Sequence, residues 1–129
     1  MKGGIYINQL FLVGRLVRTP EIKNTDGKLS CIITLAVKRN YKNADGIFET
    51  DFITCSVWNI IAEKVCEYCQ KGDLISVKAR VQNNNYLDKE EKMVYSYEFI
   101  AEQVSFLQNS KNNDKEEDSD FKEIKQINN

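Results

Sequence analysis

The sequence contains no histidine, and this absence excludes several classes of functional site. Without imidazole the chain lacks the commonest general base, the Ser-His and Cys-His nucleophile pairs, and every zinc site that uses histidine as a ligand. A long apolar run is also missing, since no stretch approaches the ~20 apolar residues of a membrane-spanning helix. The first residues, Met1-Lys2-Gly3-Gly4, lack the apolar segment of a signal peptide. We therefore expect a cytoplasmic protein.

The chain has four cysteines, two of them in a CxxC motif formed by Cys66 and Cys69. A zinc site of four thiolates is formally possible, but structural sites of that kind normally take two close-spaced pairs. Here Cys31 and Cys55 are isolated in strand-like runs, and the CxxC motif falls in a helical pattern. We expect reduced thiols in the core and no metal or other cofactor.

The chain carries almost no net charge, −1 over 129 residues, but the charge is unevenly distributed. Residues 1–42 carry +6, residues 43–107 carry −5 and residues 108–129 carry −2. The first third could therefore line a path for phosphate groups. A bias of this size is more often a solvated surface, so charge alone does not identify a partner.

Residues 51–58 read as a strand with two unlike faces. The positions that belong on a core are Ile53, Cys55 and Val57. The opposite face carries Thr54 and Ser56 between two aromatic residues, Phe52 and Trp58, the single tryptophan of the chain. Rings on a wet face usually have a flat partner, and nucleic-acid bases are the commonest one. A loop or a second subunit that covers this face is the alternative.

The remaining periodicity predicts further strands at residues 5–18, 29–39, 74–82 and 93–107. Gly14 inside the first strand indicates a bulge or a sharp bend. Residues 59–71 have helical periodicity, with Asn59 as the N-cap and Gly72 after the end. Five strands with one helix between the third and the fourth predict an all-β protein, a five-stranded OB-fold Greek-key barrel.

The inward faces of the other strands follow from the same alternation. In the second strand they are Cys31, Ile33, Leu35 and Val37, and in the fourth strand they are Ile75, Val77, Ala79 and Val81. In the fifth strand we expect Tyr97, Phe99 and Ala101 to face inward. The barrel domain is predicted to span residues 1–107. Residues 108–129 are predicted to form a disordered, acidic and polar tail.

Several short motifs occur in one order along the chain: residues 7–16 followed by Pro20-Glu21, then residues 34–37, Asp51-Phe52, Val57-Trp58 with Ala62-Glu63, Tyr68 with Lys71-Gly72, and Glu98. Each of these motifs is weak by itself, but together they are specific. Over about residues 5–107 the sequence resembles the bacterial single-stranded DNA-binding proteins.

The resemblance implies which residues contact DNA. The positions on which bases stack in that family correspond to Tyr41, Phe52, Trp58 and Tyr86. Its phosphate contacts suggest Arg15, Lys38, Arg39, Lys42, Lys71, Lys78 and Arg80. For each single cation, a solvated surface charge remains the alternative. Tyr41 lies in the basic run Lys38–Lys42, and Tyr86 lies in a polar hairpin tip, residues 83–92.

The resemblance also implies the activity. We expect a homotetramer, associated with the nucleoid, that binds and protects single-stranded DNA in replication, recombination and repair, without sequence preference and without catalysis. Glu49 and Asp51 could be imagined as the metal-binding pair of a nuclease, but no other residue supports this. A second class of function is an OB-fold adaptor of the primosome or recombination type, in which the wet aromatic residues contact proteins.

The tail departs from the family pattern, in which an acidic tip closing with Pro-Phe docks other genome-maintenance proteins. Residues 116–121 are acidic and end in Phe121, but no proline precedes it and eight residues follow. Phe121 is the candidate docking residue, and we expect weak docking at best. Such a tail would suit a divergent or mobile-element-borne copy with partners of its own.

Overall fold

The computed structural model describes residues 4–110, which form eight strands and one helix. The elements are β1 (Leu10–Leu16), β2 (Lys23–Thr25), β3 (Lys28–Lys42), β4 (Phe48–Trp58), α1 (Asn59–Tyr68), β5 (Leu74–Asn83), β6 (Tyr86–Leu87), β7 (Met93–Val94) and β8 (Tyr97–Gln108). The five long strands are the predicted ones, and α1 lies between the third and the fourth of them. The predicted fold class is confirmed.

The sheet closes into a barrel because β1 pairs with two different strands. Its first part, Leu10 to Arg15, runs antiparallel to β5, and Arg15 and Leu16 then pair with β3. The order β1-β5-β8-β4-β3 is completed by this second pairing. A Cβ atom on Gly14 would lie 2.5 Å from the carbonyl oxygen of Ala36 in β3. Gly14 is therefore required by the close approach of two strands, without a bulge in the β1–β5 register.

The barrel core is built from the alternating positions that the sequence predicts. In β3 the buried apolar residues are Cys31, Ile33 and Leu35, and in β4 they are Cys55 and Val57. From β5 the core receives Ile75, Val77 and Ala79, and α1 closes one end with Ala62 and Val65. All four cysteines are free thiols, and only Cys66 is partly exposed. Residues 4–110 include no helix that is both long and apolar enough to cross a membrane.

The inward face of the last strand was predicted wrongly at one position. Tyr97 is 73% exposed, whereas Ile100 and Ala101, which are neighbours in the chain, are both buried. Tyr97 keeps the alternation of Phe99 and Ala101, but it is the first residue of β8 and pairs with Asn83, the exposed last residue of β5. Its position at the end of the strand, beyond the buried core, leaves the ring exposed.

The helix is shorter than predicted at its end. Its N-cap is Trp58, which makes no side-chain capping bond, and Asn59 is the first helical residue with φ +59°. The helix ends at Tyr68, and the chain then turns around the buried Asp73. The Asp73 Oδ2 atom accepts a hydrogen bond from the Gln70 amide at 2.9 Å. This turn replaces the last helical turn that the apolar pattern had predicted.

The last strand ends one residue after residue 107, which is the predicted end of the barrel domain. The strand β8 runs to Gln108, and the Ser110 amide donates a hydrogen bond to Asp73 Oδ1 at 2.9 Å. Asp73 therefore joins the turn after α1 to the chain that leaves the barrel. Residues 111–129, with Phe121, lie outside the described part of the chain, as do residues 1–3.

Candidate nucleic-acid interface

The β3–β4 hairpin has an outer face, which we define as the even-numbered positions of both strands, turned away from the core. Phe52 and Trp58 lie on this face, as predicted, and are 67% and 41% exposed. The residues opposite them on β3 are small, Ala36 beside Phe52 and Ser30 beside Trp58. Because both rings are exposed and the residues directly opposite them are small, both can take a flat partner.

The two rings are separated by a row of hydroxyl groups. The Thr34 and Thr54 hydroxyl oxygens are 3.1 Å apart, and the Ser56 hydroxyl donates to Glu98 Oε1 at 2.7 Å. These bonds tie the outer face across β3 and to β8. They link three strands between the positions of the two aromatic residues.

Trp58 borders an open groove of about 680 Å³ between the start of α1 and strands β5 and β8. Arg80 lines this groove, so one of the predicted cations lies beside a predicted stacking residue. Its guanidinium is 3.7 Å from the Glu102 carboxylate, an exposed pair whose stabilising effect is small. A phosphate group near Trp58 could therefore compete for Arg80.

The far end of the hairpin forms an arm, residues 38–50, in which no residue is buried. Arg39 lies on the face of this arm opposite to Phe52. Its Nε and Nη2 atoms donate to the two Asp51 oxygens at 3.0 and 2.9 Å, and Nη1 donates to Glu49. This guanidinium holds the pKa of the Asp51 carboxyl below its usual range through these hydrogen bonds. The forked donors of Arg39 are thus already bound by carboxylates.

Tyr41 lies close to Arg39, in the part of β3 where the register with β4 shifts. The Tyr41 hydroxyl is among the groups that raise the pKa of Arg39, after Asp51 and Glu49. Tyr41 is 64% exposed, and it belongs to β3, whereas the row of Phe52 and Trp58 lies on β4.

Phe48, which the sequence analysis missed, does continue that row. It is an outer-face residue of β4, and the ammonium groups of Lys38 and Lys42 lie over its ring, 5.5 and 5.6 Å from the centroid. Exposed cation–π contacts of this kind are each worth about 0.5–1 kcal/mol. Positions 48, 52 and 58 are all even-numbered and therefore lie on one face of the strand. If the predicted strand had begun at residue 48 instead of residue 51, alternation would have placed Phe48 on that face.

Arg15 has a structural role that its sequence position did not indicate. Its Nη1 atom donates to the Gly72 carbonyl at 3.0 Å and its Nη2 atom to Gln108 Oε1 at 2.8 Å. The residue is half-buried, and it ties β1 to the turn after α1 and to the end of β8. Of the other predicted cations, Lys71 is exposed in that turn and Lys78 is half-buried on β5.

Tyr86 lies in a second exposed hairpin. It belongs to β6 and pairs with Val94 of β7. The ring is 54% exposed, and three neighbouring residues are also exposed: Met93, Tyr95 and Tyr97. The predicted stacking residues therefore lie in three places: on the outer face of the β3–β4 hairpin, in the arm near Arg39, and on the β6–β7 hairpin.

The sequence of the barrel was compared with known protein families. Residues 7–107 match the profile of the single-strand binding protein family. The chain belongs to this family. The matched range coincides with the barrel and includes both exposed hairpins, so the predicted resemblance is confirmed.

Relatives of the chain within the single-strand binding protein family are similar over most of their own length. The chain is 42% identical over 101 residues to single-stranded DNA-binding protein B of Bacillus subtilis (strain 168), which is 78% of this chain and 89% of that protein. It is 39% identical over 107 residues to single-stranded DNA-binding protein 1 of Streptococcus pyogenes serotype M18, 82% of each chain. With single-stranded DNA-binding protein 1 of Staphylococcus aureus (strain Mu50) it shares 40% identity over 121 residues, 93% of this chain and 78% of that protein.

Proposed function

We propose that this protein binds single-stranded DNA without sequence preference and protects it during replication, recombination and repair. The observation that carries the proposal is the outer face of the β3–β4 hairpin, where Phe52 and Trp58 are exposed beside small residues in a member of the single-strand binding protein family. Stacking on such rings contributes ~1–3 kcal/mol per base and tolerates every base, because each has a π face.

In this proposal the DNA phosphates contact the cations that are available on these surfaces. Lys38 and Lys42 lie on the outer face, and Arg80 lies in the groove beside Trp58. Lys71 and Lys78 would extend the path, and Tyr86 would add a stacking position on the second hairpin. Binding of this kind is stoichiometric, and the protein acts without catalysis, in the cytoplasm and at the nucleoid.

We further propose that the barrels assemble as a homotetramer. Large apolar residues are exposed at the start of the described chain, with Ile5, Tyr6 and Ile7 all more than 80% exposed. Phe11 on β1 is also 70% exposed. Apolar surface of this extent favours association. Phe121, outside the described residues, remains the candidate contact for replication or repair proteins, with weak docking expected.

Titration with poly-dT tests the proposal. Trp58 emission should be quenched on binding, because the single tryptophan lies on the stacking face. Trp58→Ala should weaken binding by ~1–3 kcal/mol, measured by anisotropy of a labelled oligonucleotide, while circular dichroism shows a folded barrel. Phe106→Ala is the matched control, because Phe106 is an exposed aromatic residue on β8, away from the hairpin.

The opposite results would support the adaptor alternative. Unchanged Trp58 emission at saturating poly-dT would remove this residue from the interface. An affinity that depends on neither salt nor oligonucleotide length would indicate that the exposed rings serve a protein contact, because phosphate binding to single strands is salt-dependent.

A further inference from the structure

We propose that Phe48, Lys38 and Lys42 form an additional nucleotide-binding subsite at the end of the arm, where Phe48 takes a base and the two lysines take its flanking phosphates. The proposal rests on the proposed single-strand binding function, and it names a residue that the family's four stacking positions do not include. Its effect is to lengthen the platform of Trp58 and Phe52 along β4.

The backbone geometry places Phe48 in line with the other two rings. All three rings are on the outer face of β4: Phe48, Phe52 and Trp58. This strand runs without interruption from Phe48 to Trp58. The irregularity of the hairpin is confined to β3, between Lys38 and Lys42. Phe48 is four residues from Phe52, which extends the platform by about 14 Å in a strand. The residue between them on this face is Thr50, which is too small to cover either ring.

The two faces of the arm differ in their charge. On the outer face, neither Lys38 nor Lys42 pairs with a carboxylate among residues 4–110. On the opposite face, Arg39 is bound by both Glu49 and Asp51 and leaves that cluster with a net negative charge. A DNA backbone is therefore attracted to the Phe48 face and repelled from the Arg39 face.

The local packing does not account for an aromatic residue at position 48. The arm has no buried residue, so the Phe48 ring, 39% exposed, packs on no core. Its close neighbours are two ammonium groups, which bind phosphate more strongly than they bind an exposed ring. When the lysines move to phosphates, the ring is uncovered for a base. In the protein without DNA, the lysines contact the Phe48 ring. A DNA strand can replace these contacts, with phosphates bound by the lysines and a base stacked on the ring.

The test measures binding of the full-length chain to labelled oligo-dT, by anisotropy and without reliance on Trp58. Phe48→Ala should weaken binding by about 5- to 30-fold, the lower part of the range for a stacked base. Phe48→Tyr, which keeps the ring, should bind like the wild type, whereas Phe48→Leu, which keeps only the apolar volume, should resemble Phe48→Ala. Phe106→Ala should bind like the wild type.

Two further measurements separate contact from a structural effect. A 5-iodouracil oligonucleotide should crosslink on irradiation to the peptide that contains Phe48. Lys38→Ala and Lys42→Ala should each make the slope of log K against log salt less negative by about 0.7. Thermal melts should show that the variants keep their fold, since Phe48 packs on no core.

Three results would overturn the proposal. They are wild-type affinity for Phe48→Ala, recovery of affinity by Phe48→Leu, and crosslinks at Phe52 or Trp58 without any at Phe48. In all three the wild type still binds and Trp58→Ala still weakens binding, so the single-strand binding function stands. A wild-type chain that does not bind oligo-dT would overturn both.

Discussion

Arg39 lies between Lys38 and Lys42 in the sequence but on the opposite face of the arm. Its guanidinium binds Asp51 through two hydrogen bonds and also binds Glu49, whereas the lysines face the outer side with Phe48. Planar guanidinium groups pair with carboxylates in this forked geometry better than ammonium groups do. The same basic run thus contains an internally neutralised cation and two available ones.

This arrangement predicts the effect of removing Arg39. Arg39→Ala should weaken DNA binding, because it leaves the carboxylates of Glu49 and Asp51 uncompensated near the bound DNA. The slope of log K against log salt should stay unchanged, because Arg39 makes no phosphate contact. In a Glu49→Gln, Asp51→Asn background the same substitution should have no further effect on affinity. The measurement is a salt titration of oligo-dT binding for the four chains. A loss of about 0.7 in the slope in both backgrounds would show a direct phosphate contact instead.

The buried thiols predict a loss of stability at alkaline pH. Burial raises the pKa of Cys55 to about 11, and burial together with a contact to Cys66 raises the pKa of Cys31 to about 12. In the unfolded chain thiols ionise at ordinary pKa values, near 8.5. The folded state then binds more protons, so the free energy of unfolding falls as pH rises from about 8.5 towards 11.

Urea unfolding between pH 7 and pH 10.5 measures this dependence. Cys55→Ala should be less stable at neutral pH, because it leaves a cavity, but its stability should fall less steeply with pH. Equal slopes for the two chains would contradict the assignment of the alkaline loss to this thiol. Tyrosine and lysine titrations are common to both chains and cancel in the comparison.

Among the secondary-structure elements, the turn between α1 and β5 depends on one carboxylate. Asp73 is 1% exposed, and its two oxygens accept hydrogen bonds from the Gln70 and Ser110 amides. Its own backbone carbonyl accepts from the Leu16 amide at 2.9 Å. One residue thus joins the end of the helix, the end of β1 and the chain after β8.

Asp73→Asn should lower the free energy of unfolding by about 1.5–3 kcal/mol. An amide side chain has one accepting oxygen, so one of the two part-buried N–H groups loses its partner. The matched control is Asp88→Asn in the β6–β7 turn, where a single oxygen, Oδ1, accepts from both Glu90 and Lys92. That variant should be within about 0.5 kcal/mol of the wild type. Urea midpoints compare the two, and equal values would contradict the prediction.

For the whole molecule, the acidic tail should compete with DNA for the cationic surfaces. Residues 111–129 carry four lysines and six acidic residues, a net charge of −2. A tethered acidic segment acts at a high effective concentration. Removing residues 111–129 should therefore raise affinity for oligo-dT by a few-fold, most clearly at low salt, where screening is weak. The cut belongs after Ser110, because the Ser110 amide is bound by Asp73.

Two controls accompany the truncation. A full-length chain with Glu116→Gln, Glu117→Gln and Asp118→Asn should reproduce the gain in affinity if charge is the cause. Sedimentation should give the same oligomer for all three chains, and we expect a tetramer. Equal affinity of the truncated and full-length chains at low salt would show that the tail does not compete.

The local sequence was sufficient for the barrel and for the face that carries Phe52 and Trp58. A period of two assigns each side chain to a face, and burial of Cys31, Ile33, Cys55 and Val57 follows directly from it. The number of long strands and the position of the helix are likewise local properties. Prediction failed at the ends of elements, where alternation does not show how far the core extends: at Tyr97, which pairs with the exposed Asn83, and at the end of α1.

The roles of the charged residues depended on contacts between distant parts of the chain. Arg15 is bound by Gly72 and Gln108, 57 and 93 residues away, and Asp73 by an amide 37 residues further on. A cation is more readily available to phosphate when no internal acceptor occupies its donors, and the long-range strand pairing decides which acceptors lie within reach. The alternation of β4 could therefore be read from the sequence, whereas the neutralisation of Arg39 and the availability of Lys38 and Lys42 could be read only from the folded hairpin.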